Sequence, residues 1–355
     1  MQHSRHVANR LACRRILVVF AVLFLACSSD QNEILSPLLG GSFATISTGP
    51  CAGLPYTRLV SVSTAAQLSS AVSNARAGDL IRLASGTYSG RWTMTQSGTA
   101  AAPIILCGPR TAVLNGGSIS KGSGIFLNGT RYWTLSGFTI TNALSGISGN
   151  NAINNKILSL DVHYVGQAGI HLRVFSKRNL IRDNVIHGTG KYVAQYGEGI
   201  YIGTAESQWC AKTNCQPDRS DSNQVIRNAI SATTADGIQM MAGTTGGLIR
   251  RNTIDGGGMV RISAAPAQWV LVMGNKVLVD SNTAVDALMH GMKVHRSSTA
   301  TAWGNNNVFR ANKLDLGSSG YGIYLDTPPA NGMIVKCNNW ATHTGSGLSN
   351  VPCTP

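Results

Sequence analysis

A small residue, usually Gly, followed by an aliphatic one opens a short alternating stretch again and again along the chain. The aliphatic anchors are Ile125, Ile147, Ile170, Ile200, Ile238, Val270, Met292 and Ile323, at spacings of 22, 23, 30, 38, 32, 22 and 31 residues. A second pattern, aliphatic-x-x-Asn-x-aliphatic, falls between them. It reads Ile181/Asn184/Ile186, Val225/Asn228/Ile230, Ile249/Asn252/Ile254, Phe309/Asn312/Leu314 and Val335/Asn338/Trp340, with a weaker Val279/Asn282/Ala284. From Ile170 onward the two patterns alternate, one of each per repeat. The stretches are too short for helices, run with period two and end in Gly, Asn or Ser, which predicts strands.

Periods of about 20–50 residues signal a solenoid. The Leu-x-x-Leu-x-Leu frame of a leucine-rich repeat is absent. The expectation is an all-β chain, a single-stranded parallel β-helix whose coils stack strands into parallel sheets around one core. Parallel crossovers are right-handed almost without exception, so the helix should be right-handed. The repeating Asn suits a bend, since it tolerates left-handed backbone and its amide can bond the neighbouring coil. Residues 65–75 (AAQLSSAVSNA) put Leu68, Ala71, Val72 and Ala75 on one helical face. A solenoid needs its end covered, so this helix is the expected N-terminal cap.

The first residues read differently. Arg5, Arg10, Arg14 and Arg15 precede an apolar run over residues 16–26, far short of the roughly 20 residues a membrane span needs. A basic start, a short apolar run and small residues after it form a secretory signal. The run ends Phe24-Leu25-Ala26-Cys27, which resembles a bacterial lipoprotein signal with Cys27 as the lipid anchor, although Phe24 departs from the usual aliphatic residue there. The organisation expected is a signal peptide over 1–26, a flexible linker over 27–49 and the β-helix over 50–355. Localisation follows as an exported outer-membrane or periplasmic lipoprotein, otherwise extracellular, touching a membrane only through that anchor.

With Cys13 and Cys27 assigned to the signal, six cysteines remain: Cys51, Cys107, Cys210, Cys215, Cys337 and Cys353. An even number in an exported chain suggests three disulfides, although sequence permits 15 pairings. Proximity favours Cys210–Cys215 and Cys337–Cys353, leaving Cys51–Cys107. No Cys-x-x-Cys spacing or nearby histidine pair supports zinc, and no metal ligands are assigned.

Composition narrows the partner. The 29 Lys and Arg outnumber 15 Asp and Glu, for a net charge of +14. Removing residues 1–26 takes four Arg and no acid, leaving 25 − 15 = +10. The excess comes from scarce acids, and it points to a polyanionic partner. Nucleic acid is not expected, because the cations are scattered without a basic helix or a recognised motif.

Several stretches carry a resemblance. VSTAAQLSSAVSNARAGDLIRLASGTY, then SGTAAAPIILCGP, is similar to the N-terminal cap of right-handed parallel β-helix proteins of the pectate-lyase-like class. HLRVFSKRNLIRDNVI, GEGIYIGTAESQW and PDRSDSNQVIRN resemble a bacterial and fungal branch of that class. The likeness covers roughly residues 50–355 and implies the fold more firmly than an activity, since the class holds lyases, hydrolases, epimerases and binding proteins. It implies Asp and Lys outward on the strands aligned with Ile238 and Val270, where this chain has Gln239, Met241, Leu271 and Met273. It also implies Ca2+ as a possible cofactor, for which the nearby acids are Glu198, Asp218, Asp221 and Asp236.

Alternate residues of a strand point outward, so the residue after each anchor forms one exposed column. It reads Phe126, Ser148, His171, Tyr201, Gln239, Leu271, Lys293, Tyr324. A second column reads Asn128, Asn150, Arg173, Gly203, Met241, Met273, His295, Asp326. His171, Arg173 and Tyr201 sit on adjacent rungs, with Glu198 at the entry of the Ile200 strand, and form the candidate catalytic cluster. Lys293, His295, Gln239 and Tyr324 are candidate substrate-binding residues, with Lys293 and His295 beyond an apolar patch of Leu271, Met241 and Met273. The loop over 217–223 has turn composition and reads as structural.

β-Elimination on a uronic acid polymer needs a base for the proton α to the carboxylate and a cation for the anion that develops. Inverting hydrolysis needs two carboxylates about 6.5–9.5 Å apart, and the columns offer no such pair. The expected function is therefore a monomeric exported protein acting on an acidic polysaccharide, a polysaccharide lyase rather than a hydrolase. The alternative is a non-catalytic glycan-binding surface protein, which the apolar patch and a lipid anchor favour.

Overall fold

The computed structural model describes residues 43–262, 265–296, 302–326 and 331–355; the expected signal segment, Cys27 and most of the expected linker lie outside them. Three long parallel sheets of eleven, ten and ten strands run from Arg58 to Ser349. Each coil gives one strand to each sheet, and about ten coils wind into a right-handed parallel β-solenoid. Two short antiparallel pairs stand apart, Ala44–Thr45 with Pro55–Tyr56 and Arg261–Ile262 with Ala265–Pro266.

The eight anchors form one unbroken column of the third sheet, Ile125 to Ile323, each in register with the next. All eight are fully buried. Burying one such side chain contributes about 1.5–3 kcal/mol, so the column fixes the register of every coil: a slip of one residue would turn each anchor to the outside. The two shortest spacings, 22 and 23, are those of a bare coil. The surplus in the longer ones forms connections at several strands, including the short helices Glu206–Gln208 and Trp209–Lys212 after the Ile200–Ile202 strand and the antiparallel pair Arg261–Ile262 with Ala265–Pro266 before the Val270–Val272 strand.

The Asn pattern is a ladder inside the bend between the first and second sheets. Asn184, Asn228, Asn252, Asn282 and Asn312 are buried, each amide bonding the next. The left-handed backbone expected at Asn belongs instead to the residue before it: Asp183, Arg227, Arg251, Ser281 and Ala311 have φ of 54–60°. The last rung is Asn339, not Asn338. Asn312 donates to Asn339 Oδ1 at 2.8 Å, because one extra residue shifts the frame. Ala341, not Trp340, then pairs with Leu314 in the core column, and Trp340 is 68% exposed.

The helix Ala65–Ser73 starts at Thr64 in a capping box with Gln67 and buries Leu68 and Val72. It packs on the first strands of the solenoid. Disulfides form between Cys51 and Cys107, Cys210 and Cys215, and Cys337 and Cys353. Among the described residues no helix is long and apolar enough to cross a membrane.

Candidate active site

The first outward column holds as expected: Ser148, His171, Tyr201, Gln239, Leu271, Lys293 and Tyr324 are paired rung by rung. The second holds only at its start, where Asn150 and Arg173 are in register. Later strands end one residue sooner. Gly203 turns at φ 99°, and Met241 folds back to 5% exposure, so it contributes little to the expected apolar patch.

His171, Arg173, Tyr201 and Glu198 line a single cleft of about 530 Å³, with Ser148, Gln167 and Tyr196. The His171 and Tyr201 rings stack with centroids 4.2 Å apart and planes 8° from parallel. His171 Nε2 lies 3.2 Å from the Gly203 carbonyl. A carbonyl only accepts, so Nε2 carries the proton and Nδ1 is bare. Burial, reinforced by the Arg173 charge, drives the His171 pKa down to about 3, so the ring is neutral. Burial also pushes the Tyr201 phenol up, with Glu198 adding to it.

The turn that follows Arg173 is fixed by a buried carboxylate. Asp218 is fully buried and accepts from the Val174 and Phe175 N–H groups, each at 2.7 Å. These two residues have φ of 52° and 63°; the carboxylate stabilises a left-handed turn that a β-branched Val resists. Thr204 and Ser220 complete its shell. The 217–223 loop is thus structural, as its composition suggests.

Sequence reasoning missed the partner of Glu198. Asp236 occupies the same position one coil on, and Gln268 the next. Gly199 N–H donates to the Asp236 carbonyl at 3.0 Å, and Gly237 N–H to the Gln268 carbonyl at 2.9 Å. Both glycines are required there, since a Cβ on Gly199 would meet the Gly237 carbonyl at 2.5 Å and one on Gly237 the Trp269 carbonyl at 2.7 Å. Burial, helped by the Asp236 charge, pushes Glu198 up to about 8. Burial pushes Asp236 up to about 7, against a 2.6 Å bond from Gln268 N–H and the charge of Lys293. The signal was available: the residue two before each anchor is a third column facing the groove.

Lys293, His295 and Gln239 line an adjoining cleft of about 460 Å³ whose wall again includes Glu198, Tyr196, Asp236 and Gln268. The two candidate sets therefore border one groove instead of being separated by an apolar patch. Lys293 pairs with Asp326 at 2.9 Å, and His295 also bonds Asp326. Tyr324 lines neither cleft and stacks on His290 at 4.1 Å.

Calcium takes six to eight oxygens. Glu198 Oε2 and Gln268 Oε1 are buried without a hydrogen-bond partner, and with Asp236 they make three side chains. Asp218 is consumed by the backbone, Asp221 bonds Thr245 N–H at 2.8 Å and Arg219, and the Lys293 charge acts on Asp236. Three side chains supply too few oxygens for that shell, and the Lys293 charge opposes a cation at Asp236, so the set does not fit Ca2+.

A family model described as a right-handed β-helix region matches residues 105–265 and 218–351. The chain belongs to that family. Among solved right-handed β-helix structures, an alginate lyase from Paenibacillus sp. str. FPU-7 is 28% identical with a TM-score of 0.77, covering 83% of this chain and 98% of that one. Pectate lyase Pel9A is similar in fold at 15% identity and a TM-score of 0.51, covering 85% and 82%. So is a GH136 lacto-N-biosidase from Eubacterium ramulus, at 12% identity and 0.53, covering 83% and 67%. No curated protein matches.

Proposed function

We propose that this β-helix protein is a lyase that cleaves an acidic polysaccharide by β-elimination in the groove around His171, Arg173, Tyr201 and Glu198. The observation that carries the reading is their convergence on one cleft. The net charge and the similarity to an alginate lyase support it. Arg173 pairs the uronate carboxylate, which a guanidinium matches bidentately. Neutral His171 takes the proton α to that carboxylate through Nδ1. The electron pair forms a carbon–carbon double bond as the glycosidic oxygen leaves the β carbon. Tyr201, which keeps its proton, donates it to that oxygen. Pairing of Arg173 with substrate offsets the charge that helps depress His171, so the base strengthens as substrate binds. Glu198, kept protonated by burial, donates a hydrogen bond towards developing negative charge.

Glu198 and Asp236 give hydrolysis a specific argument, since carboxyls on adjacent rungs are about 4.8 Å apart, near the separation of a retaining pair. A nucleophilic carboxylate must be ionised, and burial opposes this at both. The test is incubation with a panel of acidic polysaccharides. Products with the ultraviolet absorbance of an unsaturated uronate support elimination; saturated reducing ends without it mean hydrolysis, and binding without products means a glycan-binding protein. The signal-like segment, Cys27 and three disulfides support an exported, lipid-anchored protein, which radiolabelled lipid incorporation into wild type but not Cys27→Ala would test.

A further inference from the structure

A second chemistry lies on another sheet. Asp161 and His163 alternate along the strand Asp161–His163 with buried Val162 between them, so both side chains leave its outer face. His187 is in register with His163 on the next rung. Their rings lie 4.9 Å apart at 19°. Asp161 Oδ1 is 2.9 Å from His163 Nδ1 and 3.4 Å from His187 Nε2, and the three donor atoms all lie within 4.8 Å of one another.

We infer that Asp161, His163 and His187 bind a zinc-type divalent transition-metal ion on the second sheet. Bonds of about 2.0–2.1 Å in tetrahedral geometry put donor atoms about 3.4 Å apart, a separation these side chains reach by small rotations. Two imidazoles and one carboxylate suit zinc, copper or nickel, whereas calcium and magnesium prefer oxygen shells. The side chains are 23–42% exposed, so an ion can reach them from solvent. Arg110 lies 3.4 Å from Asp161 Oδ2; it faces the oxygen that the histidines do not share, and so orients the carboxylate without taking its metal-facing atom. The strand frame holds the donors together before the ion arrives, since neighbouring rungs hydrogen-bond on both sides of the pair.

The rival is an ordinary ion-pair cluster in which Asp161 only balances Arg110 and the imidazoles. Titration calorimetry on metal-stripped, tag-free protein with ZnCl2 separates the two, with Co2+ absorption reporting the ligand shell. The expected result is one saturable equivalent, weakened by roughly tenfold or more in His163→Ala, His187→Ala and the near-isosteric Asp161→Asn, the scale on which a disturbed ligand shell loses affinity. His343→Ala, on an exposed histidine elsewhere, should leave it unchanged. Absence of saturable binding, or equal binding in the His163→Ala/His187→Ala double variant with its circular-dichroism melt intact, would overturn the inference.

Discussion

The carboxyls of Glu198 and Asp236 leave the groove wall on successive coils, tied through the 3.0 Å bond from Gly199 N–H to the Asp236 carbonyl. Burial raises both, to about 8 and about 7. A raised carboxyl binds its proton more tightly folded than unfolded. Its contribution to stability is full below the unfolded pKa, about 4, and is lost as pH rises through the folded value. The thermal midpoint should therefore fall between about pH 6.5 and pH 9. His171 has the opposite sign, but its contribution is lost only as pH falls below about 6.5. Glu198→Gln/Asp236→Asn should flatten the decline; an unchanged slope would place its cause elsewhere.

The cluster in the groove divides into binding and chemistry. Arg173→Ala should raise KM, because the carboxylate loses its bidentate partner. His171→Ala should lower kcat by roughly a hundredfold or more, the range of a positioned base. Tyr201→Phe removes the donated proton but keeps the ring stacked on His171, so it should slow turnover with little change in KM. If all three variants act like wild type, the chemistry belongs to Lys293 and His295.

Because the described groove residues do not make up a calcium shell, product formation should survive EDTA, and added Ca2+ should not raise it. Metal drawn from Asp161, His163 and His187 on another sheet should leave the rate unchanged as well. Loss of activity in EDTA, restored by Ca2+, would show that Glu198, Asp236 and Gln268 recruit enough water to complete a shell.

The anchors were legible because a buried strand column repeats a simple rule: small, aliphatic, out, in. His171, Tyr201 and Glu198 followed once that column was in register. Asp236 stands out in the sequence as a nearby acid, but its pairing with Glu198 shows only when the residue two before each anchor is followed as a column. His163 and His187 escaped for another reason. They are 24 residues apart, so they look unrelated until one coil of solenoid is subtracted. The fading of the second outward column, with Met241 turned inward, depends on where each strand stops, and the alternation does not carry that.

The frame at the C-terminal end can be tested directly, because adjacent asparagines have opposite roles. Asn339 is buried and accepts from the Asn312 N–H and amide at 3.0 and 2.8 Å, while donating to the Phe309 and Lys336 carbonyls. Asn338 is exposed and accepts one bond, from Ala311 N–H at 3.0 Å. Asn339→Ala strands several buried polar groups, each costing about 1–3 kcal/mol when unpaired, whereas water can replace what Asn338→Ala removes. Denaturant unfolding should therefore show Asn339→Ala less stable by about 2 kcal/mol or more and Asn338→Ala by under about 1 kcal/mol. The reverse order would mean that the Val335/Asn338/Trp340 frame is right and that Trp340 belongs in the core.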